Sequence, residues 1–590
     1  MYWLTMEEKI TKDMQLRNNE YYCMQEIFDY LYLKSQSNYC FYSLIRYIID
    51  ERNLRLAYRN IKTNKGSKTS GFSGKNITFI GNMKLCVYLK FITKRILNYV
   101  PSLVKRVGIP KSNGKTRYLG IKEPWNKIIE QAIYQILDPI LTAKFHNNSN
   151  GFIKGRSQKR AIAQFTNYVI KDKLYYVIDL DIKGFFDEVN HGKLLKQLWT
   201  CGVKDKNLLS LISKMFKAEI FNYGVPDKGT PQGGILSPLL ANLVLNELDW
   251  WLESKSTKGI RFVRFADDVK ILCPTYSVAR NMLDMTSKWL NNRLSLQVSD
   301  EKTKIVNLKR NYSLFLGFKF KIKIKNNKVK IISHMSEKSI ENVKSKIKVQ
   351  RKKIKKTISN KNRNSKEIDK YNSLVLGFHN YYNAATNICE DLNYINWNVD
   401  AYFNKFLRRK VLNIDDDYYE NNNFIINKYG KNLKFIRGKS IIPIGRISYE
   451  EPRYRGNKIN YYQDNSRKSF HKKLELDNLF VMNKLLYNPM YYETIEFNDN
   501  IISKFCGQQG KYGITNKLIF DLKNISVIKI KDNGSDKYDN IFIVENKVKK
   551  LIKLEEVDDI IELSILKKVL ILEQLEKINS IRKENSLSLI

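Results

Sequence analysis

Histidine is the rarest reactive side chain in this 590-residue sequence, with 5 in all (His146, His191, His334, His379 and His471) and none beyond position 471. Chemistry that needs imidazole as a general base or metal ligand therefore has no donor in the last stretch of the chain. Cysteine is scarce too: 7 residues, at positions 23, 40, 86, 201, 273, 389 and 506, with no CxxC pair among them. That scatter indicates neither a zinc ribbon nor a disulfide framework and suits a reducing compartment. Apolar runs are short. The stretch from Ile235 to Asn246 falls below the ~20 residues that a membrane span needs, so no membrane span is expected. The first residues, MYWLTMEEKITKDMQ, show neither a basic-then-apolar signal nor an Arg/Ser-rich transit pattern, and no leader is expected. Acidic residues are in deficit, 59 Asp+Glu against 103 Lys+Arg, for a net charge of +44.

That surplus of cations accompanies 43% hydrophobic and 12% aromatic residues, the composition of a folded polyanion binder and not of a basic disordered tail. The length allows several domains at ~150 residues each. Charge alone fits a ribosomal protein, a membrane-surface protein or a nucleic-acid enzyme. The bias toward Ile, Lys, Asn and Tyr points to an AT-rich genome, bacterial or organellar.

Residues 1 to 60 read as helical and basic, with Leu44, Ile45, Ile48 and Ile49 at helical spacing and Arg46, Arg52, Arg55 and Arg59 among the intervening positions. They form either a nucleic-acid-facing extension or a surface helix. Residues 61 to 76, IKTNKGSKTSGFSGKN, are either a mobile loop over a phosphate-rich ligand or a linker. Residues 105 to 123 read as a hairpin turning at Ser112-Asn113-Gly114. Lys111, Lys115 and Arg117 cluster around that turn, where cations either grip a triphosphate or protect a strand edge. An amphipathic helix follows at 124 to 141.

Residues 174 to 190, LYYVIDLDIKGFFDEVN, carry a buried strand into Asp179-Leu180-Asp181, an alternation that sets carboxylates at the end of a sheet. Phe185 and Phe186 then form an aromatic step, either core or a wall for a substrate. Residues 224 to 250 begin as a Gly/Pro loop and become an apolar helix, and Gln232-Gly233-Gly234 leaves backbone open where amides can meet a base or phosphate. Residues 261 to 273, RFVRFADDVKILC, read as strand, tight turn, strand, which lifts Asp267 and Asp268 to a sheet rim. Two adjacent carboxylates repel one another. A bound divalent cation relieves the repulsion; a solvated acidic turn is the other reading.

Asp181, the Pro231-Gln232-Gly233 loop and Asp267-Asp268 occur in the order and spacing of a reverse transcriptase palm. The motifs IPKSNGKTRYLGI, SNGFIKGRS, DIKGFFDEVNH, GTPQGGILSPLLANL, RFADD, SDEKTKI and FLGF, followed by LVLGFHNYYNAAT and SIIPIGR, closely resemble group II intron reverse transcriptase-maturases. The resemblance implies an α+β right-hand polymerase: fingers and a palm with an antiparallel sheet, a three-helix thumb, then basic and degenerate HNH-like regions. The boundaries expected are an amino-terminal extension and start of the fingers over 1–100, fingers and palm over 101–334, a thumb or maturase (X) domain over 335–415, a basic RNA/DNA-binding region over 416–494 and an HNH-endonuclease-like domain over 495–590.

By the same resemblance Asp181, Asp267 and Asp268 are the catalytic carboxylates that hold two Mg²⁺ ions. Lys115 and Arg117 are similar to the triphosphate-gripping pair, and Arg156 lies in a segment that shapes the template and nucleotide pocket. Phe186 takes the position that occludes a ribose 2′-hydroxyl, and Gln232 and Gly233 pack on the nascent base pair. Lys302 or Lys304 donates a proton to pyrophosphate. Departures from the family pattern are Tyr118 for a common proline, Ile153-Lys154 for Arg-Pro, and Phe265 for Tyr.

Residues 495 to 582 follow one form of the HNH skeleton through IEFNDNIISKF, GKYGITNKLI, NGSDKYDNIFIV and KKLIK, but without its histidines. Val527 to Lys529, Glu545, Lys549 and Lys553 occupy histidine-like positions, Tyr512 replaces a cysteine, and Cys506 stands alone. Endonuclease activity and zinc are therefore expected to be absent. The function expected is an RNA-directed DNA polymerase that also binds its intron RNA and assists splicing and mobility. Its partners would be the intron RNA, an RNA template with DNA primer, dNTPs and target DNA. It would work in the bacterial cytoplasm, with an organelle matrix as the alternative. A non-enzymatic RNA-binding splicing factor and a domesticated reverse transcriptase in defence are the competing readings.

Overall fold

The structure, a computed structural model, describes residues 13–590 other than 65, 111–115, 231–232, 327, 360–365, 409–427, 431–432, 437–438, 453–459, 475, 477, 533 and 554–569. Lys111, Lys115 and Gln232 lie outside the described residues, as does much of the basic stretch after 412. The strands are β1 (Lys105–Pro110), β2 (Thr116–Ile121), β3 (Tyr176–Leu180), β4 (Arg261–Phe265), β5 (Asp268–Cys273), β6 (Lys304–Asn307), β7 (Ser313–Phe315), β8 (Phe318–Lys325), β9 (Lys328–Met335), β10 (Lys434–Ile436), β11 (Lys439–Ile441), β12 (Ile525–Lys529) and β13 (Ile541–Glu545). Every strand pairing is antiparallel, and helices outnumber strands along the chain. The mixed architecture with antiparallel sheets expected from the sequence is the one found. No helix among the described residues is long and apolar enough to cross a membrane.

The chain divides into two compact units. The first comprises Met1–Phe145, Gly184–Val244 and Lys458–Ile590. It is built on the helix Pro124–Thr142, which is buried on almost all sides and accordingly apolar around most of its circumference. Its polar residues are satisfied internally: the Gln135 side-chain amide donates to Asn53 Oδ1 at 2.7 Å, and that of Asn53 donates to the Ala132 carbonyl at 3.2 Å. The loop over 61–76 is tied down, because Glu123 accepts from the Ser73 amide and hydroxyl, both at 2.7 Å.

The amino-terminal helix Glu51–Lys62 departs from both expectations for its arginines. Arg55 is buried and donates to the Leu486 carbonyl at 2.8 Å. Arg59 pairs with Asp499 at 3.0 Å, and Lys62 reaches both Asp499 and Glu496. These cations face the carboxyl-terminal region, neither nucleic acid nor solvent. That region supplies the helix Ile495–Gly507, the β12–β13 hairpin and the helix Asn546–Lys553. Three of the positions expected from the resemblance to stand in for histidines are engaged locally: Lys529 with Asp536 at 2.6 Å, Lys553 with Asp532 at 3.1 Å, and Glu545 accepting from Thr515 at 2.9 Å.

The second unit comprises His146–Lys183 and Leu245–Asn457. Its main sheet has the order β4-β5-β3-β6, followed by a three-stranded sheet β7-β8-β9. Three helices come next, Glu337–Ser359, Lys366–Tyr382 and Ile388–Arg408. The basic first helix turns Val343, Ile347 and Ile354 inward at 1% exposure or less, as its 3.6-residue period requires. One hydrophobic core runs from β3, β4 and β5 through Phe318 and Phe320 to Tyr371 and Ile395 on those helices.

Candidate active site

The register brings three turns to one rim of the β4-β5-β3-β6 sheet. Leu180 at the end of β3 pairs with Val269 near the start of β5, and Phe265 at the end of β4 pairs with Asp268. Asp179 pairs with Lys304 at the start of β6. Asp181 just beyond β3, the Ala266-Asp267 turn and Lys302 just before β6 are therefore neighbours. Ala266 takes φ +57°, the left-handed conformation that a two-residue hairpin turn demands.

Backbone contacts hold these pieces in place. The Asp181 amide donates to Thr303 Oγ1 at 3.2 Å, and the Asp181 carbonyl accepts from the Ser299 amide at 2.8 Å, so SDEKTKI grips the residue from both sides. The acidic turn is braced by Arg264, whose guanidinium is fully buried and pairs two-pronged with Asp249 at 2.7 and 2.5 Å. Arg264 also donates to the Ala266 carbonyl at 2.8 Å. The loop over 146–151 runs beside β4: the Asn150 amide donates to the Arg264 carbonyl at 2.8 Å, and a Cβ on Gly151 would strike the Ala266 amide. Arg156 ties that loop by donating to the His146 and Ser149 carbonyls, both at 2.6 Å.

Each carboxylate has its own electrostatic setting. Asp181 pairs with Lys302 at 2.9 Å in an exposed contact. Lys270, almost wholly buried, bridges Asp268 at 3.0 Å and Asp179 at 3.1 Å. Burial pushes the Asp268 carboxyl up, with Asp179 and Asp267 adding to the rise, against the pull of Lys270. Among the described residues Asp267 has no hydrogen bond or ion pair. Asp179 accepts from Ser313 at 2.6 Å through Oδ1, while its buried Oδ2 has no hydrogen-bond partner.

These are hard oxygen donors at adjoining strand ends, the donor type that Mg²⁺ and Ca²⁺ prefer, and their chemistry fits a divalent ion. As placed, the lysines supply the compensating charge, and no three His, Cys, Asp or Glu among the described residues form a ready-made cluster for a metal.

The other candidates lie in the first unit. Arg117 is on β2 opposite Ile109. Phe186 is half-buried in a short helix, Phe185–Glu188, and its carbonyl accepts from the Thr230 amide at 2.7 Å. Gly233 has φ +106°, and a Cβ there would press on the Gly120 carbonyl at 3.0 Å, so the loop approaches β2 closely only as glycine. Past the loop, the Ile235 amide donates to the buried Glu130 at 2.9 Å.

Sequence reasoning missed Asp249, Lys270, Gly151 and the bracing role of Arg264. Gly151 acts on Ala266 and Lys270 on Asp179 across long stretches of chain, and Arg264 reaches the preceding helix through Asp249 as well as the turn beside it. The only signals available were the lysine inside the apolar β5 sequence and the glycine in SNGFIKGRS.

A family model described as reverse transcriptase (RNA-dependent DNA polymerase) matches residues 109–368. Protein YkfC of Escherichia coli is 30% identical over 314 residues, 46% of this chain and 81% of YkfC. Group II intron-encoded protein LtrA of Lactococcus lactis is 32% identical over 270 residues, 45% of this chain and 43% of LtrA, so the alignment spans less than half of that relative's length. Among solved structures, apo telomerase from Candida tropicalis aligns over 40% of this chain and 55% of its own, at 17% identity and a TM-score of 0.31, a likeness too loose to argue from. With the carboxylate rim and its motifs in place, the chain belongs to the reverse transcriptase (RNA-dependent DNA polymerase) family, and a group II intron-encoded protein is among the relatives it resembles.

Proposed function

We propose that this protein is an RNA-directed DNA polymerase that also binds its intron RNA and assists splicing and mobility. The observation that carries the polymerase reading is the convergence of Asp181, Asp267 and Asp268 at one sheet rim. Asp181 and Asp267, assisted by Asp268, would hold two Mg²⁺ ions, which supply charge neutralisation for the attacking 3′-oxygen and the leaving pyrophosphate. Arg264 and Gly151 fix the turn that bears two of these carboxylates.

Lys302 is the lysine of SDEKTKI that reaches Asp181, so it is the better placed of the two candidates to deliver a proton to pyrophosphate. Lys115 and Arg117 grip the triphosphate, and Gln232 and Gly233 pack on the nascent pair. Phe186 narrows the sugar site against a 2′-hydroxyl, which selects dNTPs, and Arg156 shapes the template side by bracing the 146–151 loop. The basic helices after residue 336 take the intron RNA, and target DNA is the substrate for mobility.

The test is extension of a DNA primer on an RNA template with Mg²⁺, comparing the full chain with Asp267→Asn. Full-length cDNA from the first and none from the second supports the reading. Folded wild-type protein that yields no cDNA but still binds intron RNA replaces it with a splicing factor lacking polymerase activity.

A further inference from the structure

The β8–β9 ribbon carries an arrangement that the polymerase chemistry does not use. Its register sets Lys323 opposite Lys330 and Lys325 opposite Lys328, while Lys321 and Lys319 continue the same face toward the base. Like charges directly opposite one another destabilise a strand pair. No carboxylate pairs with Lys323, Lys325, Lys328 or Lys330 among the described residues, whereas Lys319 at the base pairs with Glu337 at 2.6 Å.

The reverse face explains the shape. Phe318, Phe320 and Ile322 are buried in the core, but beyond them Lys323, Ile324 and Lys325 are all exposed, Ile324 at 47%. The lysine face therefore stands clear of the core, and on the reverse face β8 leaves the core beyond Ile322 while Val329 and Ile331 of β9 stay packed at its margin. At the base of the lysine face the Tyr312 ring lies 5.2 Å from the Lys319 ammonium and 5.7 Å from that of Lys321. A lysine or two per strand would suffice to discourage edge pairing. Four exposed lysines set in facing pairs leave a concentrated positive stripe whose counter-charge must come from another molecule.

We propose that this stripe is a rail for the phosphate backbone of a nucleic-acid duplex, the RNA–DNA hybrid of template and primer. Naming the hybrid rests on the polymerase reading above; the preference for a phosphate backbone rests on the facing lysine pairs, which recur along one strand face every ~6.7 Å. The ribbon is also rooted beside the acidic rim. Ser313, which pairs with Phe320, donates to Asp179 at 2.6 Å. Counted from that pair at ~3.3 Å per residue, Lys323 and Lys325 lie roughly 10 and 17 Å along the ribbon.

The test is equilibrium binding of a labelled RNA–DNA hybrid to the full chain across about 50 to 200 mM salt. The ribbon variant changes Lys323, Lys325, Lys328 and Lys330 to Gln, and a charge-matched control changes Lys517, Lys523, Lys537 and Lys547 to Gln. A second variant places Arg at the four ribbon positions. Each phosphate contact contributes about 0.9 to the slope of log affinity against log salt. The Gln ribbon variant should therefore lose about 2 to 4 from that slope and bind roughly tenfold or more weakly at low salt, while the Arg variant and the control keep the wild-type slope. An unchanged slope in the Gln ribbon variant overturns the proposal. So does an equal loss in the control, or an equal loss of affinity for single-stranded RNA. Wild-type protein that binds the hybrid with this slope but makes no cDNA overturns the polymerase reading and leaves the rail standing.

Discussion

The rim of the main sheet and the junction between the Glu51–Lys62 and Ile495–Gly507 helices both set carboxylates against basic side chains, and they differ in what surrounds the charges. At the junction, Asp499 is wholly buried and takes Arg59 at 3.0 Å, Lys62, and the Tyr22 hydroxyl at 2.5 Å. Burial by itself would raise its carboxyl, but the two cations and the hydrogen bonds hold it at about 2. At the rim, Asp181 and Lys302 are both open to solvent, and Asp268 is shifted the other way, upward. A closed cluster has its counter-ions built in and works as a fastener. On the proposed polymerase reading, the open rim is where an exposed lysine can give way to a cation from outside.

The largest effect expected separates the two sites by activity. Asp267→Asn should lower primer extension by on the order of 10³-fold or more with an unchanged melting temperature, because Asp267 supports nothing in the fold. A melting temperature that falls with activity would make the rim a structural site. Next, Asp499→Asn should cost about 3 to 5 kcal/mol of stability by leaving Arg59 and Lys62 uncompensated, read by denaturant unfolding of the full chain.

Arg264→Met tests whether the comparison admits an intermediate case, a closed pair serving the open rim. It strands Asp249 and releases the turn, so it should cost about 3 to 5 kcal/mol and lower primer extension in protein that remains folded.

Acid should distinguish the sites more gently. The Asp499 carboxyl lies below its unfolded value, so its contribution is complete above about pH 4 and is lost as pH falls toward 2. That amounts to about 2 kcal/mol, visible as a steeper acid-unfolding limb in wild type than in Asp499→Asn. Smallest in stability is Lys302→Ala, at most about 1 kcal/mol for an exposed pair, with a rate loss of about 10²-fold or more if it donates the proton.

Local pattern made much of this legible. Alternation with turn chemistry marked the β4–β5 hairpin within RFVRFADDVKILC, and the strand running into Asp179-Leu180-Asp181 was equally plain. The three-helix segment after the palm came from the family resemblance, and the apolar period Val343, Ile347 and Ile354 of its first helix agrees with it. Arg55 and Arg59 misled because a basic helix facing nucleic acid and one facing buried carboxylates have the same sequence. Only Asp499, more than 400 positions away, tells them apart.

The sequence by itself determined that adjacent carboxylates stand on a hairpin in a basic, aromatic-rich chain, since periodicity and turn chemistry act over a few residues. Tertiary structure decided which cation each acid meets: Lys302 for Asp181, Lys270 for Asp268, Arg264 for Asp249 and Arg59 for Asp499. It also decided that Gly151 must lack a side chain. Charge pairing and close packing depend on distance in space, which spacing along the chain does not encode.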